Sequence, residues 1–134
     1  MPALSRSWLN EQLLDGAERA GTVPRWCGFR LVAADASVLM PAMRACHRTA
    51  CAASADQRLF ALYLPGAELT LHAAVHSASE SERTMLMESL DRLGPADVLL
   101  LDRGCPAAWL VQALQERGIR FVMRCDNDSG WPAL

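Results

Sequence analysis

Two aspartates carry the chemistry this sequence suggests most directly. Asp35 closes the run LVAAD and Asp102 closes the run VLLLD. Each acid follows four apolar residues, and a short apolar run of that kind reads as a buried strand. A carboxylate at the C-terminal end of such a strand stands where open α/β sheets place their ligands. Two carboxylates on neighbouring strands repel each other unless a cation lies between them. Mg²⁺ and Mn²⁺ are the divalent ions that prefer oxygen donors. A pair of such ions activates an attacking oxygen and steadies the leaving oxygen of a phosphodiester. The same residues also have a plainer use, because Asp before Ala-Ser or Arg-Gly routinely caps a turn. Local pattern leaves both readings open.

The elements that must position these acids can be read from periodicity. Residues 5–20 (SRSWLNEQLLDGAERA) are expected to be helical, with Trp8, Leu9, Leu13 and Ala17 recurring on one face and Gly21 and Pro24 ending the segment. Phe29 to Ala34 form a strand that ends at Asp35. Residues 42–57 show weak periodicity and read as a loop. Leu59 to Leu64 and Leu69 to Val75 read as a hairpin turned at Pro65-Gly66. Ser79-x-x-Glu82 fits a capping box for a helix carrying Leu86, Leu90 and Leu93, stopped at Gly94-Pro95. Residues 97–101 form an apolar strand. Pro106 opens a helix with Trp109, Leu110, Ala113 and Leu114 turned inward, and Gly118 closes it. Residues 119–124 (IRFVMR) form the last strand. Three consecutive strands followed by α-β-α-β imply a mixed α/β sheet with helices on its faces.

Bulk properties narrow the class. The chain has 134 residues, 51% hydrophobic and 21% charged, which fits one folded domain rather than a disordered segment. A net charge of −2 supplies no global basic field for nucleic acid. All 13 basic residues are Arg, the better fork-shaped phosphate ligand, so a local basic surface stays open. Arg103, directly after Asp102, and Arg44 and Arg48 are candidates for DNA-backbone contacts. The N-terminus has no apolar core of a signal peptide, and no run reaches the length of a membrane span. Five irregularly spaced cysteines then point to reduced thiols in a cytoplasmic protein with no membrane partner.

Three blocks in order carry a family resemblance. Trp26 to Pro41 (WCGFRLVAADASVLMP) resembles the first catalytic block of DDE-type insertion-sequence transposases of the IS-four family. Gly94 to Pro106 (GPADVLLLDRGCP) resembles the second block, in which a hydrophobic strand runs into an Asp-Arg-Gly turn. Ile119 to Arg124 resembles the strand that follows. The hairpin and the SESER helix start lie where the family has them.

The resemblance implies a ribonuclease-H-like fold over residues 26–134, behind an N-terminal helical segment at 1–25. The first strand and the strand after the crossover helix then lie side by side and bring Asp35 and Asp102 together. It also implies metal-dependent cleavage and strand transfer on double-stranded transposon ends, with Mg²⁺ or Mn²⁺ and a possible transposase homo-oligomer.

The sequence departs from that family in several places. The family's third acid, a Glu on a helix beyond the last strand, has no counterpart after Glu116, and Glu116 belongs to the wrong helix. Asp126 and Asp128 read as turn residues. The fold is therefore expected to be incomplete at its C-terminus, and the chain to act as a truncated core that is inactive alone. Ala36 stands where the family prefers Gly, which would disturb a turn beside Asp35.

Other groupings read more plainly. His72 and His76 are expected at solvent-facing or edge positions of a strand. Cys46-His47-x-x-x-Cys51 lacks the second pair that a closed zinc site needs. Two other functions compete: a non-catalytic fragment that pairs with a full-length transposase, and an unrelated α/β ligand-binding domain.

Overall fold

A computed structural model describes residues 3–39 and 57–125. Arg44, Arg48, the Cys46–Cys51 grouping, Asp126 and Asp128 lie outside these residues. The elements run α1 (Ala3–Arg19), β1 (Arg25–Trp26), β2 (Phe29–Leu39), β3 (Gln57–Leu64), β4 (Leu69–Ser77), α2 (Glu82–Ser89), β5 (Asp97–Leu101), α3 (Ala108–Glu116) and β6 (Arg120–Met123). A 3₁₀ turn at Leu90–Arg92 follows α2.

The strands form one sheet in the order β4-β3-β2-β5-β6, with β1 paired to β2. β2, β3 and β4 pair antiparallel, whereas β5 joins β2 in parallel and β6 joins β5 in parallel. This is the mixed α/β arrangement expected above, and the strand of Asp35 lies directly beside the strand that leads into Asp102.

β2 is longer than its apolar run suggests. It passes through Asp35 and continues to Leu39, with Asp35 opposite Ala61 and Leu39 opposite Gln57. Asp35 is thus an interior strand residue and not a strand terminus. Ala36, Ser37 and Val38 accept extended backbone, and β3 is long enough to keep bonding them. Ala36 sits opposite Phe60 in this ladder, so no turn beside Asp35 needs a glycine.

Alternation along the strands divides the sheet into two unlike faces. Val32 and Ala34 of β2, Phe60, Leu62 and Leu64 of β3, and Leu99 and Leu101 of β5 join one core with Leu14, Met85, Leu86, Leu90, Leu110 and Leu114 from the helical segments. Residues on the opposite face stay at least partly in solvent: Leu31, Ala33, Leu59 and Ala61 are half-buried, and Val122 is 58% exposed.

Two helices present different residues from those the periodicity favoured. In α1, Leu13 is 61% exposed while Leu14 is 8% exposed and enters the core. The helix is pinned to the edge strand β4 by Asn10, whose amide donates to the Thr70 carbonyl at 2.8 Å. That contact turns the stripe Asn10–Leu14–Ala17 inward and leaves Leu9 and Leu13 outside. In α3, Leu110, Val111 and Leu114 are buried and Trp109 is exposed.

A buried ion pair fixes the register of β2 against β5. Arg30 and Asp97 are ladder partners, and the guanidinium donates to both carboxylate oxygens at 2.7 and 2.9 Å. Gly94 N–H adds a bond of 2.8 Å to Asp97, and Glu18 of α1 accepts from Arg30 at 3.0 Å. Asp97 is only 2% exposed, so this charge is desolvated and depends on all three donors. These contacts clamp the strands at the end opposite the aspartate site.

Candidate metal centre

The parallel pairing of β2 with β5 runs the chain segments that lead to the two aspartates side by side. Ala33 pairs with Leu100 across the parallel β2–β5 ladder. Two residues further along each chain are Asp35, still within β2, and Asp102, just past the end of β5 and beyond the last paired residues of this ladder. Asp102 lies just past β5, and its Oδ1 accepts from Gly104 N–H at 2.8 Å, which closes the Asp-Arg-Gly turn. The turn-capping role read from sequence is therefore present, and it engages one carboxylate oxygen. Ser37 Oγ lies 3.5 Å from Asp35 Oδ2. Both aspartates are exposed.

A third carboxylate lies beside them. Glu82, Asp102 and Cys105 offer an oxygen, an oxygen and a sulfur that all lie within 4.8 Å of one another. Asp35 stands outside this trio. Its charge still reaches Glu82, whose carboxyl is raised above the ordinary range, first by burial and then by repulsion from Asp102 and Asp35. Arg58 and Arg83 oppose that rise.

Glu82 was assigned to a capping box, and the structure gives the cap to another residue. Ser81 is the N-cap of α2, and its hydroxyl accepts from Thr84 N–H at 3.2 Å. Ser81 Oγ also bonds Thr84 Oγ1 at 2.8 Å. With the helix start two residues later than Ser79-x-x-Glu82 implied, Glu82 becomes the first helical residue. It is then free to face Asp102. The signal was present in the sequence, since Ser81-x-x-Thr84 is an equally good cap, but nothing local ranked it above Ser79.

The donor set suits a hard ion. Burial, then the nearby carboxylates of Glu82 and Asp102, push the Cys105 thiol up to about 12, so it stays protonated at neutral pH. The oxygens of Glu82 and Asp102 are donors of the kind that hard divalent ions such as Mg²⁺ and Mn²⁺ take. Gly104 makes the space: a Cβ there would stand 3.1 Å from Glu82 Oε2 and 3.2 Å from Asp102 Oδ1.

The remaining candidates fall elsewhere. Arg103 lies in the turn between Asp102 and Gly104. Glu116 is exposed on α3, where it accepts from Gln112 at 2.9 Å, away from the carboxylates. His72 and His76 are on the edge strand β4, as expected. His76 is largely buried, with Nδ1 2.8 Å from Glu80 Oε2 and 3.8 Å from Glu88 Oε2. Those three residues form a second grouping with metal-ligand donors.

No family model and no curated protein matches this chain. Among solved structures it is similar to the Mos1 transposase paired-end complex with left transposon end, at 12% identity and a TM-score of 0.45, over 84% of this chain. The chain spans 39% of that transposase chain. No helix of the described residues is long and apolar enough to cross a membrane.

Proposed function

We propose that this chain is a catalytic core of the DDE-transposase type, close to the IS-four family, which uses Mg²⁺ or Mn²⁺ to cut and join DNA phosphodiesters. The observation that supports this reading is that Asp35 lies on β2 and Asp102 just past the adjacent parallel strand β5, with Glu82 beside Asp102. Asp35, Asp102 and Glu82 would hold the ion. Bound there, a divalent ion supplies charge for the phosphodiester oxygens and readies water or a 3′-hydroxyl for attack.

The protein's own groups have three tasks. The carboxylates hold negative charge close together, at a cost in mutual repulsion that a cation relieves. Gly104 N–H fixes one oxygen of Asp102, which leaves the other to a ligand. The Ser81 cap keeps the first turn of α2 in place and Glu82 with it.

The family's catalytic Glu from a helix beyond the last strand has no counterpart among the described residues. The isolated chain is accordingly proposed to bind its ion more readily than it cleaves DNA. The test couples a Mn²⁺ titration with nicking of supercoiled plasmid. The reading expects saturable Mn²⁺ binding lost in Asp35→Ala and Asp102→Ala, with slow nicking that disappears in the same variants. Binding that survives both substitutions refutes the metal assignment. Robust nicking abolished by Asp35→Ala refutes only the deficit in cleavage.

A further inference from the structure

Three donors that the carboxylate site does not use converge where β4 hands the chain on to α2. His76 Nδ1, a Glu80 oxygen and a Glu88 oxygen all lie within 4.8 Å of one another. Nδ1 stands 2.8 Å from Glu80 Oε2 and 3.8 Å from Glu88 Oε2. The donors come from separate elements: His76 from the end of β4, Glu80 from the turn that follows, and Glu88 from the last turn of α2.

Each element places its donor for its own reason. His76 stands opposite Arg58 in the β3–β4 ladder, in phase with the pair Phe60 and Ala74, so its ring lies on the face that carries the core. The turn is closed by Glu80 N–H, which donates to the Ser77 carbonyl at 3.1 Å, and by a bond of 2.9 Å between the Ser77 and Ser79 hydroxyls. Met85 and Leu86 anchor α2 in the core, and Glu88 remains exposed beside the turn. An ion pair of His76 with Glu80 accounts for two of these groups and leaves the third unexplained. An exposed glutamate is free to extend into water, and two carboxylates this close repel each other.

We propose that His76, Glu80 and Glu88 form a second metal site, one that takes Zn²⁺. One imidazole nitrogen and two carboxylate oxygens are donors of the zinc type, and water fills the fourth position of such a site. At bond lengths of about 2.0–2.2 Å, tetrahedral donors lie about 3.3 Å apart. The separations of 2.8 and 3.8 Å straddle that spacing, so Glu80 retreats and Glu88 approaches by about 0.5 Å each. Both donors are the ends of flexible side chains open to solvent, so an ion can reach them. The imidazole sets this site apart: nitrogen suits Zn²⁺, whereas all-oxygen donors suit Mg²⁺ and Mn²⁺. The site ties β4 to α2, and it stands independently of the reading given to Asp35 and Asp102.

The experiment titrates Zn²⁺ into the full chain with Mg²⁺ in excess and follows the ring nitrogens of His76 by long-range ¹H–¹⁵N NMR. Calorimetry gives the affinity. Saturable binding that shifts His76 Nδ1 is expected, together with a higher unfolding temperature in Zn²⁺. Glu88→Gln is the decisive variant, because an exposed residue can change without disturbing the core. It should weaken Zn²⁺ at His76 by at least about tenfold, since even groups outside the ligand shell cost that much. His76→Gln should abolish the site, with circular dichroism verifying that it folds. Zn²⁺ that leaves the His76 ring unmoved overturns the proposal, including Zn²⁺ captured by cysteines elsewhere. A ring that responds to pH and not to Zn²⁺ identifies a protonated imidazole between two carboxylates, and overturns it too. Equal Zn²⁺ affinity at His76 in Glu88→Gln and wild type removes the third donor and, with it, the site.

Discussion

Replacing Gly104 by Ala separates the ion site from the fold. The added methyl would lie 3.1 Å from Glu82 Oε2 and 3.2 Å from Asp102 Oδ1, where ordinary van der Waals contact begins at 3.4 Å. Each carboxylate must therefore retreat by a few tenths of an ångström. Both contacts are with the ends of flexible side chains, so the fold itself can adjust at a cost of about 0.5 kcal/mol or less. A divalent ion is less forgiving, because its bond lengths tolerate only about 0.2 Å. Displacing two of its oxygens together is expected to weaken Mn²⁺ about tenfold to hundredfold, or about 1.4–2.8 kcal/mol. The assay is isothermal titration of Gly104→Ala and wild type with Mn²⁺, beside thermal unfolding of both in EDTA. The expected pattern is an unfolding temperature within a degree or two in EDTA and a clearly weaker ion. Equal Mn²⁺ affinity in the two proteins would refute the assignment of this gap to an ion.

Further outcomes follow from the same structure. Ser81→Ala removes the side-chain cap of α2 and is expected to cost about 1 kcal/mol in urea unfolding; it should also weaken Mn²⁺, because Glu82 is the next residue. Asp97→Ala leaves Arg30 buried with only Glu18 as partner and should destabilise the chain by about 3 kcal/mol, checked by chemical denaturation. Burial, then the charges of Arg92 and His76, hold His72 below its ordinary value. The unfolded chain thus takes up the His72 proton first as pH falls, so wild type should lose stability as pH drops through about 6.5. His72→Gln should flatten that loss in melts taken from pH 7.5 to 5.5, and an unchanged slope would contradict the direction.

Much of this arrangement was legible in the sequence, and the misses share a cause. The strands, the hairpin and the crossover helices follow from period-two runs and from Gly and Pro punctuation, which are local signals. The parallel pairing of β2 with β5 rested on the resemblance, because no local pattern specifies a partner some 65 residues away. What local pattern could not rank was degenerate. Ser79 and Ser81 both start plausible helices, and choosing wrongly hid Glu82. Leu13 and Leu14 are adjacent, and the bond from Asn10 to β4 decides which one is buried. Asp35 looked like the end of a strand because the apolar run stops there, whereas the ladder with β3 carries the strand on to Leu39.

Paramagnetic broadening in a ¹H–¹⁵N spectrum tests the location of the ion most directly. Substoichiometric Mn²⁺ should first erase the amides of Asp35, Glu82, Asp102 and Gly104, and leave those of Glu18, Arg30 and Asp97 at the far end of the strands intact. Broadening centred instead on His76, Glu80 and Glu88, or spread evenly over the chain, would contradict a divalent-ion site built from Asp35 and Asp102.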